Sequence, residues 1–333
     1  MANNTNSTGC VHQEVFYQVI QSVVFCILSI LVIGGNTFCL MVLKQARYLK
    51  TPTRLFLASL TCADLFTGLF VIFPSFVVFT FFRILPETTS SLICGVKELV
   101  GITWAMLSVV SLLLINFDRY LAIEFPLTCD ALVTSKRARI AIGSLWTTAP
   151  LAAVGGYFVV RNNFKVDGCT DNLCQRLFRF DTRGVIYLSF CTFIFAILPL
   201  LITAMIYVRI FVIVRRHKAM EKKLYVTRAN LTTGTYRRSS IDWKALNTFL
   251  LVTVVSSFTW FPYSFFSLYT YFVGQTSNDD LIDVLVMTFS FNNCWVNILV
   301  YTLRDRSFRN AAKKLLPKCC RKQPGFNIGH IGK

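Results

Sequence analysis

The sequence predicts an all-α membrane protein, a seven-transmembrane helix bundle, on three observations: apolar composition, seven long apolar runs, and basic residues gathered in alternate loops. Of 333 residues, 54% are hydrophobic and 15% charged, and the mean hydropathy is +0.56. A soluble domain is about 45–50% apolar and about 25% charged. The length suits one compact bundle better than several soluble domains.

A helix needs about 20 mostly apolar residues to cross the hydrocarbon core. Seven runs meet this: Phe16–Leu43, Leu55–Phe82, Val96–Tyr120, Ile140–Val160, Val185–Val214, Leu246–Val273 and Leu281–Leu303. The first lacks a basic region ahead of it and is too long for a cleaved leader, so it reads as a true span.

Lysine and arginine cluster between spans one and two (Lys44, Arg47, Lys50, Arg54), after span three (Lys136, Arg137, Arg139), after span five (Arg215 to Arg238) and in the tail (Arg304 to Lys322). The segment Met1–Tyr17 carries neither. The positive-inside rule then places the N-terminus outside and the tail in the cytoplasm. An odd number of spans requires the two ends to lie on opposite faces, in agreement with the charge. The expected organisation is an extracellular segment over 1–15, a membrane domain over 16–303 and a cytoplasmic tail over 304–333. Sequons at Asn3 and Asn6 fall on the outer side and are candidates for glycosylation.

The net charge of +18 suggests nucleic acid until its distribution is seen. Basic loops confined to one face suit anionic membrane lipid and an acidic protein partner, and nucleic-acid binding is not expected. Of twelve cysteines, Cys26, Cys39, Cys62, Cys191 and Cys294 lie within apolar runs and act as small hydrophobes. Cys10, Cys94, Cys169 and Cys174 fall where an oxidising compartment would meet them.

Polar groups at membrane depth are costly and mark candidate sites. Asp64 stands in the second span, with Asn36 in the first, Ser108 in the third, and Asn293 and Asn297 in the seventh. One carboxylate among neutral ligands suits a small hard cation such as Na⁺, a shared proton, or a satisfied polar network that fixes helix register. At the cytoplasmic end of span three, Asp118-Arg119-Tyr120 offers an arginine that pairs with Asp118 or snorkels to water, and Asp242 at the start of span six is a second carboxylate within its reach. A cross-helix ion pair that must break on opening would be a bistable element. The plain alternative is an interfacial ion pair of small net worth.

With these residues placed, the chain resembles a rhodopsin-like (class A) G-protein-coupled receptor over about Phe16 to Cys320. The marks occur in order: Gly35-Asn36, Leu60 with Ala63-Asp64, Cys94, Asp118-Arg119-Tyr120, Trp146, Pro199 and Tyr207, Trp260-Phe261-Pro262, and Asn297-Ile298-Leu299-Val300-Tyr301. Phe308 begins what resembles the family's short amphipathic eighth helix, and Cys319-Cys320 its palmitoylation site.

The resemblance implies a plasma-membrane receptor, not an enzyme, in which an agonist shifts Trp260 and the Pro262 kink and swings helix six outward. Arg119 then leaves Asp118 and Asp242, Tyr207 and Tyr301 turn inward, and a heterotrimeric G protein enters the cleft with Leu127 plugging its surface. Arrestin and a receptor kinase are further implied partners. Asp64, Ser108, Asn293 and Asn297 match the family's sodium site, and no other cofactor is expected.

Three departures stand out: Ile298 in place of a proline, Ser256 in place of a core phenylalanine, and Thr259 in place of a cysteine. The first predicts that the usual kink in helix seven is absent. Together they predict unusual basal activity.

The resemblance also implies a disulfide from Cys94 to the second extracellular loop, with Cys174 preferred to Cys169 by its distance to Pro199. The implied ligand pocket comprises Lys97, Glu98, Gly101, Ile102, Ala105, Met106, Trp260, Tyr263, Ser264, Ser267 and Phe291. Gly101 stands where amine receptors carry aspartate, and Phe291 where opsins carry the retinal lysine. A small molecule or peptide of another class is expected. Leu132-Val133-Thr134 and Arg137-Ala138-Arg139 resemble adenosine and melanocortin-like receptors most, although Ser267 replaces the adenosine receptors' asparagine. The competing readings are a non-signalling decoy or scavenging receptor, and a small-solute transporter centred on Asp64. An intramembrane hydrolase or metalloenzyme would need histidines at depth, and His12, His217 and His330 all lie outside the spans.

Overall fold

The computed structural model describes residues 5–46, 49–81, 87–161, 186, 189–190, 193–228, 243–273, 279–304 and 306–315. These are helical almost throughout. In chain order they form α1 (Thr5–Gln45), α2 (Thr51–Thr67), a π-helical turn (Gly68–Ile72), α3 (Phe73–Phe81), α4 (Glu87–Glu124), α5 (Cys129–Leu132) and α6 (Ser135–Arg161). A second π-helical turn (Phe193–Ile197) leads into α7 (Leu198–Arg228), followed by α8 (Trp243–Val273), α9 (Asp279–Phe291), α10 (Asn293–Arg304) and α11 (Arg306–Leu315).

Among the described residues, Val19–Gln45, Thr51–Val77, Leu99–Glu124 and Leu198–Arg216 are each long and apolar enough to cross a bilayer. Outer faces are apolar in these and in other helices: Ile30 of α1 is 67% exposed, Leu151 of α6 71% and Phe258 of α8 68%. Such faces in water would be an aggregation hazard, whereas in lipid they are at home. Polar side chains take the opposite place, with Asn36, Thr53, Ser59, Asp64, Ser111, Asn116, Thr253, Asn293 and Asn297 all buried. The protein is a multi-pass membrane protein with its polar groups facing inward.

Both π-helical turns end just ahead of a proline, Pro74 and Pro199. Proline supplies no N–H for the carbonyl four residues back. The ladder shifts register instead, as in the bond from the Phe73 N–H to the Gly68 carbonyl five residues earlier. The hydropathy of the second and fifth runs carries no trace of this shift.

One half of the bundle is closed by a cluster of Val42, Phe56, Leu60, Leu112, Ile115, Val252 and Tyr301, which joins five helices. Phe308 of α11 completes it, its ring 6.1 Å from that of Tyr301. A second cluster packs Met106 and Leu107 of α4 against Ala63, Leu145 and Ala149. Trp146 donates from its indole to Ser59 Oγ at 3.0 Å, and Ser59 shares a 3.0 Å hydrogen bond with Ser111, so α6, α2 and α4 are also stitched by polar contacts.

Gly35 and Gly68 permit the closest approaches to and from α1. A Cβ on Gly68 would stand 2.8 Å from Val32 Cγ1, and one on Gly35 would stand 2.9 Å from Ile298 Cδ1. Asn36 then ties α1 to α10, donating to the carbonyls of Val32 and Cys294 at 2.9 Å each.

The seventh predicted span is not one helix. It breaks into α9 and α10 at Asn292. The Asn292 amide donates to the Thr288 carbonyl at 2.8 Å, and its oxygen accepts from the Trp295 indole at 2.7 Å. The helix is regular through Ile298, as the missing proline predicts, and the interruption lies six residues earlier.

Candidate functional site

The long α4 is the axis on which the polar groups are assembled. Ser108 lies nearest the middle of the bundle, Asn116 two turns further along, and Asp118 and Arg119 near the C-terminal end of α4.

Asp64 is fully buried. Its Oδ1 accepts from Ser108 Oγ at 3.0 Å and its Oδ2 from Asn297 Nδ2 at 2.9 Å, so the carboxylate joins α2, α4 and α10. Neither ion pair among the described residues involves it. Asn293, one turn before Asn297 on the same face of α10, is 3% exposed, and its Oδ1 accepts no hydrogen bond among the described residues. A buried carboxylate without a counter-charge and a buried amide oxygen without a donor are both under-satisfied. An all-oxygen donor set of this kind fits a small hard cation.

Arg119 donates to Asp118 Oδ2 at 2.6 Å and also to Thr53 Oγ1, while Thr53 donates to the same Asp118 oxygen at 2.7 Å. This closed triangle joins α4 to the first turn of α2. Thr53 was not visible as a partner in the sequence, since a threonine in a first turn is ordinary capping material. Tyr120 packs against Ile206, Ile210 and Val214 of α7. Leu127, in the connection that follows, is 97% exposed. A cavity of about 400 Å³ opens beside Asp118, lined also by Lys50, Cys129, Asp130 and Ser135. Burial, reinforced by the nearby Asp118 carboxylate, raises the pKa of the Cys129 thiol there.

Tyr207 reaches across to α4. Its hydroxyl donates to Asn116 Oδ1 at 3.0 Å, and Asn116 Nδ2 donates to Thr253 Oγ1 at 3.0 Å. Tyr301 lies in the large cluster with α1, α2 and α11. The Asn116 group was missed in the sequence reading. Its signal was present, because an amide inside a long apolar run follows the same rule that singled out Asp64.

In α8, Pro262 lies inside the helix and Trp260 packs edge-on to Tyr263, with ring centroids 6.4 Å apart. The proline disturbs the backbone bonds of the preceding turn. Ser290 of α9 donates to the Thr259 carbonyl in that turn at 3.0 Å. Thr259 itself turns its hydroxyl back onto the Ser256 carbonyl at 2.9 Å, and Ser256 is buried.

Of the pocket residues read from the sequence, Gly101 faces Val71, with a Cβ placed there 3.8 Å from both of its methyls. Met106 and Ile102 pack into the cluster between α2, α4 and α6. Phe291 packs edge-on against Phe25 of α1, with centroids 5.9 Å apart. Ala105 and Tyr263 are half-buried. The side chains of Cys94, Lys97, Glu98, Ser264 and Ser267 lie outside the described set, as do residues Asn3, Asn6, Cys174, Asp242, Cys319 and Cys320.

The described helices form an inward-polar bundle with a buried carboxylate on α2 and an arginine–aspartate pair at one end of α4. The family model for the 7 transmembrane receptor (rhodopsin family) matches residues 35–301, and the chain belongs to that family. Its members are G-protein-coupled receptors that transduce signals, and not enzymes. The chain is 26% identical over 313 residues to a "Rhodopsin, GQ-coupled" of Mizuhopecten yessoensis, covering 91% of this chain and 61% of that protein. It is 26% identical over 323 residues to a "Histamine H2 receptor" of Cavia porcellus, covering 96% and 84%. It is also 26% identical over 327 residues to an "Adenosine receptor A3" of Ovis aries, covering 97% and 96%.

Proposed function

We propose that this chain is a plasma-membrane receptor that crosses the bilayer seven times, with α11 as the short amphipathic eighth helix. Its N-terminus is extracellular, and it binds an extracellular ligand and activates a heterotrimeric G protein by outward movement of helix six (α8). The observation that carries the reading is the triangle of Arg119, Asp118 and Thr53 at the cytoplasmic end of α4, with Leu127 bare beside it. A charged group that shares a carboxylate and a hydroxyl among the described residues is poised to exchange partners when helix six departs. Leu127 offers an apolar knob to a docking surface.

The ligand is a small molecule or peptide outside the classes that need an aspartate at Gly101 or a lysine at Phe291. Equal identity to relatives named for opsin, histamine and adenosine selects none of those chemistries. Na⁺ is proposed at Asp64, with Ser108, Asn293 and Asn297 completing the oxygen set; when bound, it supplies a counter-charge to the carboxylate. The Cys94–Cys174 disulfide, glycans on Asn3 and Asn6, palmitates on Cys319 and Cys320, and arrestin, receptor-kinase and inner-leaflet lipid contacts belong to the same reading.

A ligand screen with Gα-resolved coupling, run beside Arg119→Ala, tests it. The wild type responds through at least one Gα class and the variant loses at least about tenfold of that response, the equivalent of roughly 1.4 kcal/mol. A response untouched by Arg119→Ala would sink the mechanism. Ligand binding without coupling to any Gα would point to the decoy reading.

A further inference from the structure

We infer that Asn116 is a positioning residue that latches helix six (α8) to α4 in the resting receptor, using one side-chain amide to hold Thr253 and Tyr207 together. The inference rests on the reading that helix six swings outward on activation.

Asn116 is 1% exposed and Thr253 5%. The Asn116 amide nitrogen donates to Thr253 Oγ1 at 3.0 Å, and its oxygen receives the Tyr207 hydroxyl at 3.0 Å, with the Thr253 hydroxyl 3.3 Å away as a second donor. Both ends of one amide are thus occupied by two other helices, α8 and α7. Its surroundings are apolar, since Leu112 and Ile115 of α4 and Val252 of α8 lie in the large buried cluster. No solvent replaces these partners while the bundle is closed.

Outward movement of α8 carries Thr253 away from Asn116 and strands the amide N–H in a low-dielectric interior. A group left unmade there is expensive, whereas a net hydrogen bond is modest. The latch therefore opposes opening until Tyr207 and the amide find new partners. Arg119 stands one turn nearer the cytoplasm on the same face of α4, so a phenol released by Asn116 has an acceptor-seeking cation within one helical turn. A threonine at 253 is what permits the latch, because valine in the same shape offers Asn116 nothing to bond.

The test uses full-length receptor in nanodiscs, with spin-labelled non-natural residues introduced at positions 139 and 244, the starts of α6 and α8. The distance distribution reports the open fraction without any G protein, and ligand-independent nucleotide exchange is measured in parallel. Thr253→Val is expected to raise the open fraction and the basal exchange roughly two- to tenfold, the range of one net hydrogen bond. Asn116→Leu should raise them at least as far, and the double variant no further than Asn116→Leu alone. Thr253→Ser, which keeps the hydroxyl, should match wild type. If Asn116→Leu does not reach the membrane, the pair Thr253→Val and Thr253→Ser decides. An open fraction that Thr253→Val leaves unmoved, or that Thr253→Ser raises equally, overturns the latch. A shifted distance with no exchange on any Gα keeps the latch and removes the G-protein reading. Exchange by wild type with no shift in Thr253→Val removes the latch alone.

Discussion

Two buried polar groups on α4 do different work. The one at Ser108 centres on an ionisable carboxyl, Asp64, and binds α4 to α2 and α10, which are in turn locked to α1 through Asn36, Gly35 and Gly68. The one at Asn116 is neutral and binds α4 to α7 and α8. The first group belongs to a frame held from several sides by side-chain and backbone contacts. The second reaches the helices expected to move, through a few hydrogen bonds of modest net worth. A frame and a latch on one helix allow the receptor to be rigid and bistable together. Substitutions in the frame should cost stability and leave the open fraction alone, and substitutions in the latch should do the reverse.

The largest frame effect is expected where α10 meets α1. Ile298→Pro removes the N–H that the helix directs at the Cys294 carbonyl, yet Asn36 also donates to that oxygen. The proline should therefore cost well under the roughly 3 kcal/mol of an interior helix proline, and the full amount should appear only in an Asn36→Leu background. Thermal unfolding of the four proteins checks this, and equal costs of the proline in both backgrounds would refute the role of Asn36.

Sodium comes next. At a hundred times its dissociation constant, a cation on the folded state adds about 2.7 kcal/mol. Wild type should melt higher in NaCl than in choline chloride, and Asp64→Asn, which keeps shape and removes charge, should lose the difference. Asn116→Leu should retain it, because the latch shares no partner with the charged group. A sodium response that survives in Asp64→Asn would place the cation elsewhere.

The smallest effect separates the two glycines. Gly68→Ala pushes a methyl onto the branched, stiff Val32 and should cost about 1 kcal/mol, at the low end for overpacking. Gly35→Ala meets only the flexible tip of Ile298 and should cost less. Neither should change the 139–244 distance, and a change in either would dissolve the distinction between frame and latch.

The frame was largely legible in the sequence because its signals are costly ones. A carboxylate at membrane depth and an asparagine in the first span each break an apolar run, and Ile298 departs from a family mark, so each invites an explanation. The latch was less legible because its members are ordinary one at a time. Asn116 adjoins the conspicuous Asp118-Arg119-Tyr120, Thr253 is one of several threonines in its helix, and Tyr207 stood out only as a family mark. The same holds for the break at Asn292, whose cause is a pair of side-chain bonds to Thr288 and Trp295 rather than a proline or glycine.

By itself the sequence determined that the chain lives in lipid and which residue types must face inward, because the cost of burying polar groups in hydrocarbon acts residue by residue. The family's ordered marks added the class of receptor. Which inward groups meet was decided only in the folded bundle: Thr53 with Arg119, Asn116 with Thr253 and Tyr207, and Tyr301 with Phe308. Hydrogen-bond partners depend on helix rotation and register to within about an ångström. Those are set by the packing of whole faces, which no single residue or spacing encodes.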